Sequence, residues 1–541
     1  MVHRLCNDVN KNILSFLINI KDIYSLNNIY LTNDIFFLRL TSKYWKNLID
    51  KYVEITCKNY KVYFKNKFNQ AIEEGRVNVL EWFHKNGYNF KYGTEATSGA
   101  SKKGHINVLE WLNNSEYDFL YDQFSIVMAS ASGHTHVLDW FKNNGYHLRW
   151  GGCGMAIIRA SGNGHTNVLN WWKNSSGYEM KRYDKQAITR ASTYGHTHVL
   201  EWWKYSGYEF KYNEDPICWA AQNGHIHVLD WFKNSGYELK YNVNAINWAS
   251  SYGYVNVLDW FKTNGYEFKY DTDAINTASE NGYINVLDWW KYSGYEFKYD
   301  EDAINMAASN GRVNVLVWWK NSGYEFKYDT DAINFASEAG HIHILEWFKN
   351  NRYKFKYNEY AINLASSGGY INVLEWFKNS GYEFKYNTDA INYICQNGHI
   401  SVLDWWKNSE YIFKYDEEAI VMASERGHVN ILEWFKNSEY DFLYDKNAIN
   451  EAASEGHVNV LEWFKNSGYD FLYDKDAINE AAGEGYISVL EWFKNSEYEF
   501  KYDNFATDWA AVNKHFDVLK WLYENGFNDL DPDEMIYGTI Y

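Results

Sequence analysis

Proline and paired cysteines are nearly absent from this 541-residue chain. Its two prolines, Pro216 and Pro532, form no proline-rich linker, so no interior domain boundary is indicated. Its five cysteines are scattered without a CxxC pair, which argues against a disulfide framework and against a zinc site. The 52 basic residues are outnumbered by 70 acidic ones, and the formal net charge is −18. Because binding a phosphate backbone needs a basic stripe, we expect no nucleic-acid partner.

Long apolar runs are also missing. No stretch approaches the roughly 18 apolar residues of a membrane span, and the opening segment MVHRLCNDVNKN has no signal-peptide core. We therefore expect a soluble cytoplasmic protein with no membrane partner.

Aromatic residues, by contrast, make up 19% of the chain, and tryptophan recurs at a fixed spacing. Sixteen copies lie 29 positions apart, except for two steps of 31 around Trp171, and such a period is typical of a solenoid. We expect the extra residues to fall in turns, around RWGGCG (149–154) and in NSSGYEMKRY (174–183). The sixteen are Trp82, Trp111, Trp140, Trp171, Trp202, Trp231, Trp260, Trp289, Trp318, Trp347, Trp376, Trp405, Trp434, Trp463, Trp492 and Trp521.

One unit contains two short helices and an extended segment. NVLDWWKYSG (285–294) places its apolar residues on one helical face, and YEFKYD (295–300) alternates aromatic and charged residues. Asp302 then offers an N-cap for a second helix, AINMAAS (303–309). Because neither helix is stable alone, each unit must pack on its neighbours. This pattern predicts an all-α helix-turn-helix solenoid with the repeated Trp in its core.

The turn that closes each Trp helix varies between units. Most units have glycine there, as at Gly294, which suits a left-handed backbone. A non-glycine residue in that conformation is strained, so we expect strain where the glycine is replaced. The replacements are Glu116, Arg352, Glu410, Glu439 and Glu497.

The repeated sequence resembles ankyrin repeats. AASEGHVNVLEWFKNSG (452–468) is similar to the ankyrin core A-A-x-x-G-H-x-x-V-V-x-L-L-x-x-G, with Trp463 and Phe464 at leucine positions. The unit is four residues shorter than the ankyrin repeat, and DAIN stands in place of T-P-L-H, so the projecting hairpin is expected to be reduced or absent. Asn-, Lys-, Ile- and Tyr-rich usage also looks like ankyrin-like arrays of giant viruses, which would place the chain in the host cytoplasm.

Residues 1–50 lack the repeat and resemble an F-box. That resemblance implies docking on the adaptor subunit of a host cullin-RING ubiquitin ligase, through Leu5, Phe16 and Leu17. Cys6 at the usual proline position and the extra segment 27–38 depart from the F-box pattern, and the alternative is a helical cap for the solenoid. The expected organisation is a helical module (1–50), a connector (51–66), sixteen ankyrin-like repeats (67–530) and a tail (531–541). Matching positions are Leu5, Asp8, Val9, Ile13, Leu14, Phe16, Leu17, Asp22, Ile23, Leu26, Leu40 and Trp45.

Patterns that suggest chemistry have structural explanations. HxH pairs such as His134/His136 could bind metal, but Tyr or Arg takes the first position in other units, so we expect a polar bridge between repeats. An acid precedes nearly every repeated Trp, usually with Lys three residues after the acid, and we expect the two to pair on an exposed helix face. GGCG lacks the Lys and Ser/Thr of a phosphate loop. We expect no catalytic residues, no metal and no cofactor.

The other helix of each unit varies where the Trp helix does not. In ankyrin proteins the equivalent face borders the groove that holds partners, and its middle here has the aromatic and Met-rich composition of interface cores. The alternative is that these side chains fill gaps of differing shape between repeats. We expect a protein target to contact Trp219, Trp248, Met306, Phe335, Leu364, Tyr393 and Met422. The leading hypothesis is a substrate-recruiting subunit of an SCF-type ligase, and the alternative is a binding scaffold without a ligase link.

Overall fold

A computed structural model describes residues 60–85, 93–115, 119–146, 150–176 and 184–527. The F-box-like residues Leu5, Phe16 and Leu17 lie outside these ranges, as do the C-terminal tail (531–541) and most of the connector. The chain forms two compact units. The first contains Met1–Ala220 and His227–Lys240, and the second contains Ala221–Ile226 and Tyr241–Tyr541.

Every regular element in the described ranges is an α-helix, as the sequence predicted. Wholly or mainly in the first unit are α1 (Tyr60–Glu73), α2 (Val77–Lys85), α3 (Thr94–Lys103), α4 (Ile106–Asn114), α5 (Gln123–Ala131), α6 (Thr135–Asn143), α7 (Trp150–Gly162), α8 (Thr166–Asn174), α9 (Gln186–Thr193), α10 (Thr197–Tyr205), α11 (Asp215–Gln222) and α12 (Ile226–Ser235).

The second unit continues the alternation of an odd-numbered helix and an even-numbered Trp helix. Its helices are α13 (Asn244–Ser251), α14 (Val255–Thr263), α15 (Asp273–Asn281), α16 (Ile284–Ser293), α17 (Asp302–Ser309), α18 (Val313–Ser322), α19 (Asp331–Glu338), α20 (Ile342–Asn350), α21 (Tyr360–Ser367), α22 (Ile371–Ser380), α23 (Asp389–Asn397), α24 (Ile400–Lys407), α25 (Glu418–Glu425), α26 (Val429–Lys436), α27 (Asn447–Ser454), α28 (Val458–Ser467), α29 (Asp476–Gly483), α30 (Ile487–Asn495), α31 (Asn504–Val512) and α32 (Phe516–Glu524).

Each unit is a solenoid of helical hairpins, because an odd helix packs on the next odd helix as well as on its own Trp helix. In α17, Ala303, Ile304 and Ala307 are fully buried, and α17 contacts α15, α18 and α19. The small alanines allow the odd helices to approach closely. Trp319 and its neighbours Val315 and Leu316 form the buried face of α18. A single short hairpin therefore has its apolar faces covered only within the stack.

The repeated Trp is not the fully buried residue of its helix. Trp318 is only partly buried, whereas Trp319 is 0% exposed. The prediction of a buried ladder holds for Trp140, Trp171, Trp260 and Trp347, which are 6–8% exposed, but the other repeated Trp residues are only partly buried. One helical residue is a rotation of about 100°, which turns Trp318 toward the edge of the stack. The fully buried positions are Phe83, Leu112, Phe141, Trp172, Trp203, Phe232, Phe261, Trp290, Trp319, Phe348, Phe377, Trp406, Phe435, Phe464, Phe493 and Leu522.

The odd helices are capped from further upstream than predicted. The Asp302 backbone N–H donates to Asp300 Oδ1 at 3.1 Å, so the cap acceptor is Asp300 and not Asp302. Asn276 of the preceding repeat donates its Nδ2 to the same Asp300 oxygen at 2.6 Å. The cap therefore also ties two repeats together.

The GGCG segment (151–154) is helical, which corrects the expectation of a turn there. It lies within α7, which has 13 residues where α5 has 9. Part of the extra length near Trp171 is therefore absorbed by a longer helix.

The turn glycine before each His or Tyr is required for two reasons. Gly340 has φ +74°, and an added Cβ would lie 2.6 Å from the Tyr370 ring of the next repeat. A left-handed backbone and a close approach between repeats therefore coincide at this residue.

The glutamates at the closing turn are not strained, contrary to expectation. In the described ranges, positive φ at non-glycine residues is confined to Arg352 (55°) and Lys514 (64°). In the repeat of Glu439 the helix ends early, at Lys436, while α28 continues to Ser467 and is followed by Gly468 with φ +86°. Two kinds of helix ending therefore occur in the chain. Glu116 lies outside the described ranges.

These two endings give opposite predictions for the same substitution. Arg352→Gly relieves a left-handed, exposed residue and should raise the free energy of unfolding by about 1 kcal/mol. Glu439→Gly relieves no strain, and it should lower the free energy of unfolding by about 0.5–1 kcal/mol because glycine is more flexible in the unfolded chain. Urea denaturation of both variants checks this. A gain in stability in Glu439→Gly would show that the two endings do not differ in strain.

Candidate binding face of the odd-numbered helices

One face of the odd helices in the second unit remains accessible to solvent. In the repeat of α17 it consists of Asp302, Met306 and Ser309 of the helix and of Asn310 directly after it, at helical spacing on one side. Asp302 and Asn310 are exposed, and Met306 and Ser309 are partly buried. We use "odd-helix face" for these four positions and their equivalents in the other repeats, from α13 to α31.

The residues predicted to contact a partner lie one to a helix. Trp219 is on α11 of the first unit and is 37% exposed. The others occupy the same register position of the odd-helix face in the second unit, where Phe335 is 38% exposed and the rest are partly buried: Trp248, Met306, Phe335, Leu364, Tyr393 and Met422. Their contact with a partner stays a prediction.

Trp248 also forms one wall of a pocket of about 370 Å³. Asn281 Nδ2 donates to the Ser251 carbonyl at 3.0 Å within this region, and Ser251 Oγ contacts Thr277 Oγ1. The pocket offers an indole, hydroxyls, amides and two carboxylates, so it suits a polar side chain carried by a larger ligand. Its other lining residues are Gln222, Asn244, Asn247, Tyr252, Asp273, Glu280 and Tyr283.

The odd-helix face is strongly acidic, a property that the sequence reasoning missed. Thirteen of its side chains are carboxylates and Arg426 is its one cation. The repeat period that revealed the apolar positions could have revealed these acids as well. The carboxylates are Asp273, Glu280, Asp302, Asp331, Glu338, Asp389, Glu418, Glu425, Glu451, Glu455, Asp476, Glu480 and Glu484.

Several of these carboxyl groups are held close to one another. Burial raises the pKa of Glu451, and Glu425, Glu455 and Glu418 raise it further. Burial likewise raises the pKa of Glu480, with added repulsion from Glu451 and other nearby acids. In both cases the largest cause is loss of solvent and the second is like charge. The face therefore carries negative charge that its own side chains do not neutralise.

Removing these two charges should change the pH dependence of stability. A carboxyl group whose pKa is raised on folding destabilises the folded state at pH values above the folded pKa. This destabilisation disappears at pH values below the pKa that the group has in the unfolded chain. We expect the double variant Glu451→Gln, Glu480→Gln to be at least as stable as the wild-type chain at neutral pH. Its advantage should shrink as pH falls through the raised pKa values toward the ordinary range near ~4.3. Urea midpoints at neutral and acidic pH measure the difference.

Glu433→Gln provides a control of opposite sign. Hydrogen bonds from the Trp463 indole and from Asn437 lower the pKa of Glu433, so its contribution is stabilising above the unfolded pKa. This variant should be less stable than the wild-type chain at neutral pH. The difference in free energy of unfolding between the two should decrease as the pH is lowered. The same pH trend in both variants would contradict the assignment of the shifts.

The acids that precede most of the repeated Trp residues have a different partner from the one predicted. Asp288 Oδ1 accepts from the Trp318 indole at 2.7 Å, one repeat onward, in place of a pair with the Lys three residues away. Trp318 also stacks on Phe297, with ring centroids 6.1 Å apart. The partly buried Trp side chains therefore link successive repeats and are not candidates for ligand binding.

The histidines after the turn glycines bridge repeats, as predicted. His134 Nε2 hydrogen-bonds the Lys102 carbonyl at 3.1 Å, and His136 Nε2 the Gly104 carbonyl at 3.2 Å. Asn107 bonds the Gly75 carbonyl in the same way from the second position. Across the described ranges, no group of three or more His, Cys, Asp or Glu side chains could hold a metal ion. No helix in those ranges is both long enough and apolar enough to span a bilayer.

No family model and no curated protein matches the chain. It is similar to the crystal structure of the pentatricopeptide repeat protein PPR10 from maize, at 12% identity and a TM-score of 0.27, covering 94% of this chain and 95% of that one. It is also similar to PPR10 in complex with an 18-nt psaJ RNA element, at 14% identity and a TM-score of 0.32, covering 96% and 87%.

These comparisons correct one expectation and leave others as predictions. The exclusion of nucleic-acid partners is contradicted, because a helical-repeat protein to which the chain is similar is solved as an RNA complex. At these identities and TM-scores the likeness concerns helical-repeat architecture alone. The ankyrin and F-box resemblances stay predictions. The chain is a helical-repeat solenoid whose sequence recurs every 29 positions over most of its length.

Proposed function

We propose that the chain is a non-enzymatic scaffold that holds a segment of a protein partner on the odd-helix face of its second unit. The supporting observation is the row of large side chains Trp248, Met306, Phe335, Leu364, Tyr393 and Met422, one to a helix, on the solvent-accessible side. Aromatic residues and Met are enriched where interfaces form.

The alternative, that these side chains fill gaps between repeats, accounts less well for their exposure. Phe335 leaves 38% of its surface in solvent, whereas Ala332, Ile333 and Ala336 of the same helix are fully buried. Because the side chain in the row changes more between repeats than the buried residues do, neighbouring helices present different contacts. A row of differing contacts favours recognition of a particular partner sequence.

A phage-display selection on the immobilised full chain tests this proposal. The library consists of random peptides that are long enough to span the row from Trp248 to Met422. Selected peptides should bind the double variant Phe335→Glu, Tyr393→Glu at least tenfold more weakly. The matched control is Tyr292→Glu, Val317→Glu, which alters side chains that are 75% and 41% exposed on even helices. Circular dichroism confirms that each variant is folded. Peptides that bind both variants equally, or a selection that recovers no binders, would overturn the proposal.

The F-box-like sequence of residues 1–50 supports a finer hypothesis, in which the bound partner is a substrate recruited to a cullin-RING ligase in the cytoplasm. The adaptor subunit should then co-purify with the full chain from a eukaryotic lysate, and Phe16→Asp with Leu17→Asp should abolish this. Retention of the adaptor by the double variant, or its absence from the wild-type preparation, favours the alternative that residues 1–50 cap the solenoid.

A further inference from the structure

The odd-helix face changes character along the second unit. From α17 to α23 its central position holds Met306, Phe335, Leu364 and Tyr393, and most acids flank that row at the helix starts. In α27 and α29 the central position itself is acidic, at Glu451 and Glu480, and in α31 it is Trp509. The face therefore has an apolar part followed by a part in which acids occupy every kind of position.

The acidic part extends from α25 to α29 and has little positive charge of its own. Arg426, directly after α25, pairs with Glu425 at 3.2 Å. Lys446 and Lys475 pair with Asp474 and Asp503, which lie off the face. The acids of this part are Glu418, Glu425, Glu451, Glu455, Asp476, Glu480 and Glu484.

These carboxylates repel one another in the absence of a ligand. Glu425, Glu455 and Glu418 all raise the pKa of Glu451, after the larger effect of burial, and Glu451 in turn raises that of Glu480. A cation bound across this part would relieve that repulsion. Charge complementarity therefore selects a cationic ligand here, next to an apolar surface.

We propose that the segment bound by the odd-helix face is cationic and amphipathic, with apolar side chains over α17 to α23 and Lys or Arg over α25 to α29. This inference rests on the proposed function and specifies its partner. With packed helices ~9 Å apart, the six steps from α17 to α29 span roughly 55 Å. An extended chain covers that distance with about 16 residues at ~3.4 Å each. The apolar row supplies affinity, and the acids fix the direction in which the segment lies.

The peptides selected on the wild-type chain test this directly. Lys and Arg should be enriched in one half of the selected sequences and apolar residues in the other. A synthetic peptide from the selected pool should bind Glu451→Gln, Glu480→Gln at least tenfold more weakly, and its affinity for the wild-type chain should fall as salt is raised. The matched control is Glu439→Gln, Glu497→Gln, which removes two exposed charges at the ends of even helices.

The outcomes separate the two proposals. Two results would overturn this inference and leave the scaffold proposal in place. In the first, the selected peptides depend on Phe335 and Tyr393 but show no enrichment of Lys or Arg. In the second, they bind the Glu451→Gln, Glu480→Gln variant as tightly as the wild-type chain. Peptides that depend on none of these residues would overturn both.

Direction is tested by photocrosslinking. With p-benzoylphenylalanine at position 335 the crosslink should fall in the apolar half of the synthetic peptide, and with it at position 484 in the basic half. The reverse pattern would overturn the assigned direction. Displacement of the peptide by a single-stranded RNA oligonucleotide would overturn the proposal of a protein segment and show that the face takes a different class of partner.

Discussion

Replacing Trp319 by alanine should destabilise the solenoid locally by about 3–5 kcal/mol, as for other buried large aromatics. Its side chain is 0% exposed, and its indole donates to Ser279 Oγ in the preceding repeat at 3.1 Å. The substitution would leave both a cavity and an unmade hydrogen bond. Because a repeat array does not unfold in one step, native-state hydrogen exchange of α15 to α19 is the appropriate measurement.

Trp318→Ala, one residue earlier, is the matched control. Trp318 is partly buried, and it contributes a bond to Asp288 and a stack on Phe297. Its loss should cost only about 1–2 kcal/mol. Equal costs at the two positions would contradict the one-residue offset between the repeated Trp and the buried core.

Asn305→Asp should have the second large effect, at about 3–5 kcal/mol near neutral pH. Asn305 is 4% exposed, and its Nδ2 donates to Asp329 Oδ1 at 2.8 Å. The new carboxylate would replace this donor with a like charge in a buried site. Acidification should recover part of the loss, because the introduced carboxyl group can donate again once it is protonated. Urea denaturation at two pH values measures both effects.

The next repeat provides the control, since Asn334 is 1% exposed and donates to Asn358 Oδ1 at 2.8 Å. Asn358 carries no charge, so Asn334→Asp adds no like-charge repulsion, but a turned Asn358 amide loses the bond that its Oδ1 accepts from the Tyr360 N–H at 3.1 Å. Asn334→Asp should therefore cost about 2 kcal/mol, less than Asn305→Asp. A large loss at both positions would show that burial of the charge, and not repulsion by Asp329, decides the outcome.

Sequence periodicity was sufficient to predict the helical hairpins and their order, because packing between units requires the same apolar residues every 29 positions. It could not decide which of two adjacent aromatics is buried. Trp318 and Trp319 are equally apolar, and the distinction depends on how the helix is rotated against its neighbours. That rotation is set by contacts between repeats, such as the bond from Trp319 to Ser279.

The acidic surface was missed for a related reason. Asp302 is the first residue of α17 in the structure, and the sequence pattern interpreted it as a cap. Once Asp300 takes that role, the Asp302 side chain is left on the exposed face beside Met306. The position of a cap thus changed the interpretation of the surface next to it.

The hydrogen bonds between repeats also bear on how such a gene can change length. The Trp290 indole donates to Ser250, 40 residues earlier, and the Trp289 indole donates to Asp259, 30 residues earlier. Where the Trp spacing is longer, the corresponding separations are 42 residues for Trp172 and 32 residues for Trp171. Partners are therefore fixed by repeat number and not by absolute position. Unequal recombination that deletes or duplicates one whole repeat unit would recreate such a bond at its new junction wherever the new neighbour carries the acceptor, as Asp288 and Ser279 do and Val317 and Ala308 do not. The array can therefore gain or lose whole units, and lengthen or shorten its row of surface side chains, while the spacing between bonded positions stays the same.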